Sequence, residues 1–513
     1  MTTVFESSRG LTRRTFLKAL SVSAGPVALP SILRANAQAA SLPNIVIIYA
    51  DDMGYGDLAA QNPDSKIPTP HLDRLALEGI RFTDAHSSSG ICTPSRFALL
   101  TGMYHWRKFH GIVNSFDGPV FDDELTLPAM LRKQGYSTAC IGKWHLGWDW
   151  EAIRVDGRHT AQEVPRPDDF DWLRPVPGGP LSRGFDYYFG DDVPNFPPYA
   201  WIENDHLLTI PTEMYAPAPV PEEGNHEGRP GPMTPGWKLD AVMPRLTERA
   251  VSWIAAQKGR RQPFFLYFAW TSPHAPIVPA PEFKGRTGAG PYGDFVYQSD
   301  CSAGRILQAL DAHGLRENTL VIFTSDNGPE HYAYERVRAC GHRSMGPLRG
   351  LKRDIYEGGH RVPLLMRWPA MIAPGSVSDA LISQVDFMAT IAALTGYALP
   401  DGAALDSYNM TPLLRGESPD APIRTVHVHN TLEDHYALRQ EDWVYLDVKS
   451  GAHSKVPDWY NEENGYAPNP HEKALYNLRD DISQRVNLIE QYPERAAAMK
   501  QTLEQLRLKG HRA

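Results

Sequence analysis

The tightest constraint on this chain is a set of short strands that end in the same chemistry. Asn44–Ala50 (NIVIIYA), Phe264–Trp270 (FFLYFAW) and Thr319–Thr324 (TLVIFT) are apolar runs without polar alternation. A strand that shows water one face alternates; one that does not is buried on both faces. Tyr136–Ile141 reads as a fourth strand, and Ile80–Ala85 and Val362–Arg367 as two more. Helical patterns lie between them. Thr69-Pro70 opens one through about Glu78, with Thr as N-cap and Pro at the first helical position. Others start near Pro94 and cover Leu125–Gln134, Leu246–Ala256 and Ala303–Ala312. Strands alternating with helices predict an α/β fold: a large, mostly parallel sheet sandwiched between helices.

In such a sheet, ligands sit beyond the carboxyl ends of the strands. Asn44–Ala50 is followed by Asp51-Asp52, and Tyr136–Ile141 by Gly142-Lys143-Trp144-His145. Phe264–Trp270 leads to Thr-Ser-Pro-His274, and Thr319–Thr324 to Ser-Asp326-Asn327-Gly328. Four strands thus deliver chemically capable side chains at one end, where chance would scatter them over both.

From about residue 400 the pattern changes. Val426–Asn430 and Trp443–Val448 read as strands of a smaller sheet and Pro493–Leu508 as a terminal helix. We therefore expect a catalytic domain over residues 41–400 and a smaller C-terminal α+β domain, a short antiparallel sheet plus helix, over 401–513. Two long stretches rich in proline, aromatics and charge, Trp148–Pro180 and Asp191–Trp237, are candidate substrate loops.

Residues 1–39 read as an export signal rather than as fold. Arg13-Arg14 precedes a weakly apolar segment and small-residue cleavage positions at Ala37 or Ala39, the pattern of a twin-arginine signal. Pro26, Pro30 and Lys18 disqualify that run as a membrane span, and no later stretch is apolar enough, so no stable membrane insertion is expected. The expected location is periplasmic or secreted, with the twin-arginine translocase as partner. The net charge of −9 includes five basic groups and one acidic group in this segment, so the remainder is more acidic still. An acidic surface argues against nucleic acid as a partner. Four cysteines, Cys92, Cys140, Cys301 and Cys340, make no disulfide scaffold, though one bridge, Cys301–Cys340, is compatible with an oxidising destination.

Asp51, Asp52, Asp326 and Asn327 form an all-oxygen set suited to Ca²⁺ or Mg²⁺ rather than zinc. Arg96, Lys143, His145, His274 and Lys352 form a cationic set able to hold a tetrahedral oxyanion and move protons. Cys92 stands where a helix begins, with Arg96 one turn on. A Cys-x5-Arg phosphatase loop fails, because the sixth residue after Cys92 is Ala98.

Cys92-Thr93-Pro94-Ser95-Arg96, followed by Thr101-Gly102, resembles the formylglycine motif of the type I sulfatases, a family of the alkaline-phosphatase-like superfamily. Gly135–His145 (GYSTACIGKWH) is similar to their second motif. Asp51-Asp52, Asp326-Asn327-Gly328, Glu357-Gly-Gly-His-Arg361-Val-Pro and Leu475-Tyr-Asn-Leu-Arg-Asp-Asp also look like that family, over about residues 41–490. Two positions depart from it: Met103 where a basic residue is common and Ile482 where proline is common.

The resemblance implies a sulfuric ester hydrolase. Cys92 would be oxidised to Cα-formylglycine by a formylglycine-generating enzyme. The hydrated aldehyde has two hydroxyls: one attacks sulfur and releases the alcohol, and the other collapses the carbon to expel sulfate. A serine would stop as a stable sulfate ester. Asp51, Asp52, Asp326 and Asn327, with the modified Cys92, would hold one Ca²⁺, a Lewis acid and template. Arg96 and Lys143 would steady the hydrate, His145 would assist its collapse, and His274 and Lys352 would bind sulfate and support the leaving oxygen. Because the conversion needs an unfolded chain and the twin-arginine route carries folded cargo, modification would precede folding and export.

Two other classes share these residues: a phosphonate or phosphodiester hydrolase with the same nucleophile, and an exported binding protein with a dead site. For substrate, His105, Trp106 and Arg107 follow the nucleophile helix, and Tyr199, Trp201 and His206 lie in the second long loop. Aromatic and basic residues suit a sulfated oligosaccharide, and an aryl sulfate or other sulfated small molecule nearly as well.

Overall fold

The computed structural model describes residues 42–155, 164–217, 223, 227–431 and 435–509. The export signal expected over residues 1–39 lies outside them. The main sheet is built from β1 (Asn44–Ala50), β2 (Ile80–Phe82), β3 (Ser137–Lys143), β4 (Tyr187–Asp192), β5 (Ile202–Glu203), β6 (His206–Leu207), β7 (Phe264–Ala269), β8 (Thr319–Ser325), β9 (Leu364–Arg367) and β10 (Ser376–Ser378). Among the described residues its order is β10-β2-β9-β8-β1-β7-β3-β4-β5-β6. The five central strands, β8, β1, β7, β3 and β4, run parallel. The β8–β9, β9–β2, β4–β5 and β5–β6 pairs are antiparallel.

The unbroken apolar run of β1 follows from its central place. Ile45, Ile47 and Tyr49 enter one core with Phe97, Leu99 and Trp144. Val46, Ile48 and Ala50 enter the other, with Leu246, Phe295 and Val296. Each fully buried large apolar side chain contributes about 1.5–3 kcal/mol, so both faces demand hydrophobes. Helices α1 (Pro70–Leu77), α2 (Cys92–Thr101), α3 (Val242–Ala255), α4 (Gly290–Ala312) and α5 (Asp386–Thr395) flank the sheet. α2 and α5 pack on the first face, and α3 and α4 on the second.

A second sheet has the antiparallel order β11 (Val426–Asn430), β12 (Tyr436–Gln440), β13 (Trp443–Leu446), β14 (Ala474–Asn477). Helix α6 (Pro493–Lys509) covers it through Ala496, Met499 and Leu503, which meet Leu438 and Leu475.

The differences from expectation have physical causes. α4 begins at Gly290, well before Ala303. Its first half buries Asp294, Gln298 and Asp300, which break the apolar period but accept from the backbone N–H groups of Gly285, Ala280 and Leu72. Thr69 precedes α1 without capping it; its hydroxyl instead donates to Asp73 Oδ1, 3.1 Å away. The described part of the Trp148–Pro180 stretch buries Trp148, Trp150, Phe170 and Trp172 in the first core, so these aromatics are packing. All four cysteines are free, so the Cys301–Cys340 bridge that the sequence left open is not formed.

Candidate active site

The carboxyl ends of β1, β3, β7 and β8 converge on the start of α2. Asp51 and Asp52 leave β1; Lys143 is the last residue of β3; His274 follows β7; Asp326 and Asn327 follow β8. Cys92 is the first residue of α2, after an extended Ile91, so the helix's unpaired N–H groups and positive dipole end lie beside it. Lys352 arrives from the loop before Glu357. All of these side chains are buried; the most open are Cys92 and Lys352, each 4% exposed, and His274, 8% exposed.

Opposite charges pair throughout. Lys143 Nζ lies 2.7 Å from Asp51 Oδ2, and Lys352 Nζ lies 2.8 Å from Asp52 Oδ2. Arg96 donates through Nη2 and Nε to Asp326 Oδ2 at 2.8 and 3.1 Å. Asn327 Nδ2 donates to Asp52 Oδ1 at 2.7 Å, and His274 Nε2 stands 3.6 Å from Asp52 Oδ2. Cys92 interacts electrostatically with Asp326 and Lys352, which places it inside the cluster.

Burial alone would raise the Asp51 carboxyl, but Lys143, His274 and Arg96 outweigh it and hold it well below the usual range. Burial and the charge of Asp51 push Asp326 the other way. Burial opposes the charge on Lys352, yet Asp52 and Glu330 hold its ammonium above the ordinary value. His145 is kept neutral by burial and by Lys143. Its Nε2 meets the Val113 carbonyl at 2.9 Å and therefore carries the proton; Nδ1 is buried and unpartnered. Asp52 and His145 both sit at positive φ, 64° and 55°, a strained backbone that aims them into the cluster.

The oxygen set fits a hard divalent cation. Asp51 Oδ1 and Asn327 Oδ1 are buried without hydrogen-bond partners. Two adjacent carboxylates, Asp51 and Asp326, oppose each other's ionisation, which a cation between them would relieve.

Two glycines allow this convergence. A Cβ on Gly142, at φ 113°, would lie 1.8 Å from the Ala269 carbonyl oxygen. A Cβ on Gly328 would lie 1.9 Å from the Gly358 oxygen. The Asp-Asn-Gly and Glu-Gly-Gly segments thus cross backbone on backbone.

The residues read as a substrate mouth are engaged elsewhere, Trp106 stacked on Tyr104. His105 is fully buried against Asn430 Oδ1 at 3.0 Å. Arg107 is forked onto Asp406 at 2.7 and 2.6 Å. Trp201 stacks on Phe189, with Arg245 over its ring. His206, exposed on β6, pairs with its neighbour Asp205 at 2.6 Å. The second loop anchor, Tyr199, is buried, its hydroxyl donating to backbone carbonyls.

Three residues were not anticipated. Glu330, four residues past Asp326, neutralises Lys352 at 3.5 Å and pairs with Arg353. Asp192, closing the fifth parallel strand, accepts from the backbone N–H of His145 at 3.0 Å. Arg229, stacked 3.7 Å over Phe196, is a further cation within electrostatic reach of Cys92. Asp191-Asp192 repeats the strand-then-acid signature of β1, so that signal was present in the sequence.

Known proteins resemble this chain over most of its length. Residues 43–397 match the sulfatase family model, and residues 351–509 match that of the N-sulphoglucosamine sulphohydrolase C-terminal region. The chain is 34% identical to N-acetylgalactosamine-6-O-sulfatase of Bacteroides thetaiotaomicron, over 92% of this chain and 94% of that one. It is 34% identical to human arylsulfatase A, over 94% and 90%. A solved 6S-sulf protein of glycosaminoglycan metabolism in Bacteroides thetaiotaomicron superposes with a TM-score of 0.75 at 33% identity, covering 91% of this chain and 99% of that one. Motifs, fold and relatives agree: this chain belongs to the sulfatase family.

Proposed function

We propose that this sulfatase hydrolyses a sulfate monoester of a sulfated carbohydrate, using Cys92 converted to Cα-formylglycine and one Ca²⁺. The observation that carries the reading is the buried ring of Asp51, Asp52, Asp326 and Asn327 interleaved with Arg96, Lys143, His274 and Lys352 at the start of α2. The carbohydrate assignment is supported by similarity to a protein named N-acetylgalactosamine-6-O-sulfatase.

Asp51, Asp52, Asp326 and Asn327 would hold the ion through their buried oxygens, with the modified residue 92 completing the set. Together the ion and the hydrated aldehyde supply Lewis acidity and a geminal diol. The protein's own residues do the rest. Lys352 and His274, both near Asp52, are the side chains that take the sulfate oxygens and the leaving oxygen. Arg96 and Lys143, fixed on Asp326 and Asp51, brace the nucleophile without moving. His145 would offer the free lone pair of Nδ1 as base to the hydroxyl that remains once the other carries sulfate, so that the carbonyl re-forms as the carbon–oxygen bond to sulfate breaks. Burial of the ring excludes water and strengthens each of these interactions.

The test is turnover on a panel of sulfated oligosaccharides that includes 6-sulfated N-acetylgalactosamine, beside an aryl sulfate and an aryl phosphodiester. The sugar sulfates should be preferred, and preference for the phosphodiester would overturn the reading. We read residues 41–400 as the catalytic domain and 401–513 as its smaller companion. We further propose export to the periplasm or beyond through the twin-arginine translocase. Mass spectrometry of the signal-bearing cytoplasmic pool should find the aldehyde; an unmodified pool there would reverse the proposed order.

A further inference from the structure

A second cluster of metal-ligating side chains lies outside the catalytic ring. His86, His360 and His427 are each completely buried, and one ring nitrogen from each lies within 4.8 Å of the other two. His86 Nδ1 and His360 Nδ1 are 3.0 Å apart. Two nitrogens bound to one tetrahedral zinc stand about 3.3 Å apart, so this spacing needs little adjustment.

Each of the three rings keeps one nitrogen without a hydrogen bond to a group outside the cluster. His86 Nε2 is held 2.8 Å from Asp84 Oδ1, the carboxylate–imidazole arrangement that orients a ligand and raises its basicity. Asp84 stays ionised because Arg361, His86 and Arg439 overcome its burial. His427 Nδ1 meets the Tyr104 hydroxyl at 3.1 Å, and His427 Nε2 is buried without a partner, as is His360 Nε2. His429 stacks on His360 with ring centroids 3.5 Å apart and brings a third unpartnered nitrogen, Nδ1. Burial keeps His360, His427 and His429 in the neutral, ligating form. Neutral imidazoles are poor ligands for Ca²⁺ but good ones for zinc.

We propose that His86, His360 and His427 form a buried structural site for a divalent transition metal of the zinc class, separate from the catalytic oxygen set. The three ligands come from distant segments: the short strand Ala85–His86 at the head of the loop leading into Cys92, the Glu-Gly-Gly-His turn, and β11 of the second sheet. That loop is already joined to the other two, through Ser87 N–H to the His360 carbonyl at 2.8 Å and through the Ser89–Asn430 bridge. The metal would staple the second sheet to the segment that presents the nucleophile.

The test uses the full chain, purified without a polyhistidine tag, incubated with Zn²⁺ or Co²⁺ and gel-filtered. We expect one Zn²⁺ per chain by elemental analysis and visible Co²⁺ bands of a nitrogen-ligated site. His360→Gln and His427→Gln should each weaken uptake tenfold or more, while Asp326→Ala, which strikes the catalytic set, should retain it. A wild-type chain that takes up no stoichiometric Zn²⁺ and shows no Co²⁺ bands overturns the proposal, whatever the variants do. So does uptake unchanged in both histidine variants, or lost in Asp326→Ala.

Discussion

Cys92 stands at a helix start among buried cations, so the reaction can be dissected one side chain at a time. With Cys92→Ala, turnover should vanish. Cys92→Ser should allow at most one transfer and leave a sulfated protein visible by intact mass. Lys352 separates Asp52 from Glu330. Lys352→Met takes the ammonium away from buried Asp52, a defect that costs about 3–5 kcal/mol; denaturant titration should show it, alongside a fall in kcat of about 10²-fold or more. His105 makes a third case. Burial depresses its pKa to about 3 from 6.5. Below pH 6.5 the unfolded chain takes a proton that the folded chain refuses, so stability falls as acid is added, down to about pH 3. Between pH 7 and pH 5 this group should cost about 2 kcal/mol, and His105→Gln should remove that slope. At this scale most of the ring was legible, because every member but Lys352 follows an apolar strand or sits in a long motif. Arg229 and Glu330 were not, since an isolated charge in a loop carries no periodicity.

Whole elements were readable where burial is two-sided. β1, β7 and β8 stood out as unbroken apolar runs, and each is found within a residue of its expected end. The short flanking strands β5, β6 and β10, of two or three residues, have too little length to carry a pattern. The first half of α4 was hidden for the opposite reason: its buried polar side chains make backbone hydrogen bonds that no hydrophobic period reveals. The crossing of Gly328 over the Gly358 carbonyl yields a prediction here. Gly328→Ala drives a methyl into backbone, which cannot yield as a side chain can. We expect a loss of about 1–3 kcal/mol or more, together with weaker Ca²⁺ retention, because Asn327 is the adjacent residue.

For the molecule as a whole, the fold class was legible and the wiring between its parts was not. Nothing in the sequence shows that Arg424, near the second sheet, forks onto buried Asp386 of α5. Nor does it show that the long aromatic stretch is core rather than a free loop. The strand order has one further result. β1 is flanked by β7 and β8, which lie more than 200 residues downstream. During translation the ribosome must therefore pass the middle of the polypeptide before the first strand gains either neighbour. At about 5–20 residues per second, position 92 waits on the order of 10–35 s as a loose nascent thread, a delay long enough for another enzyme to reach its thiol before the core seals over it.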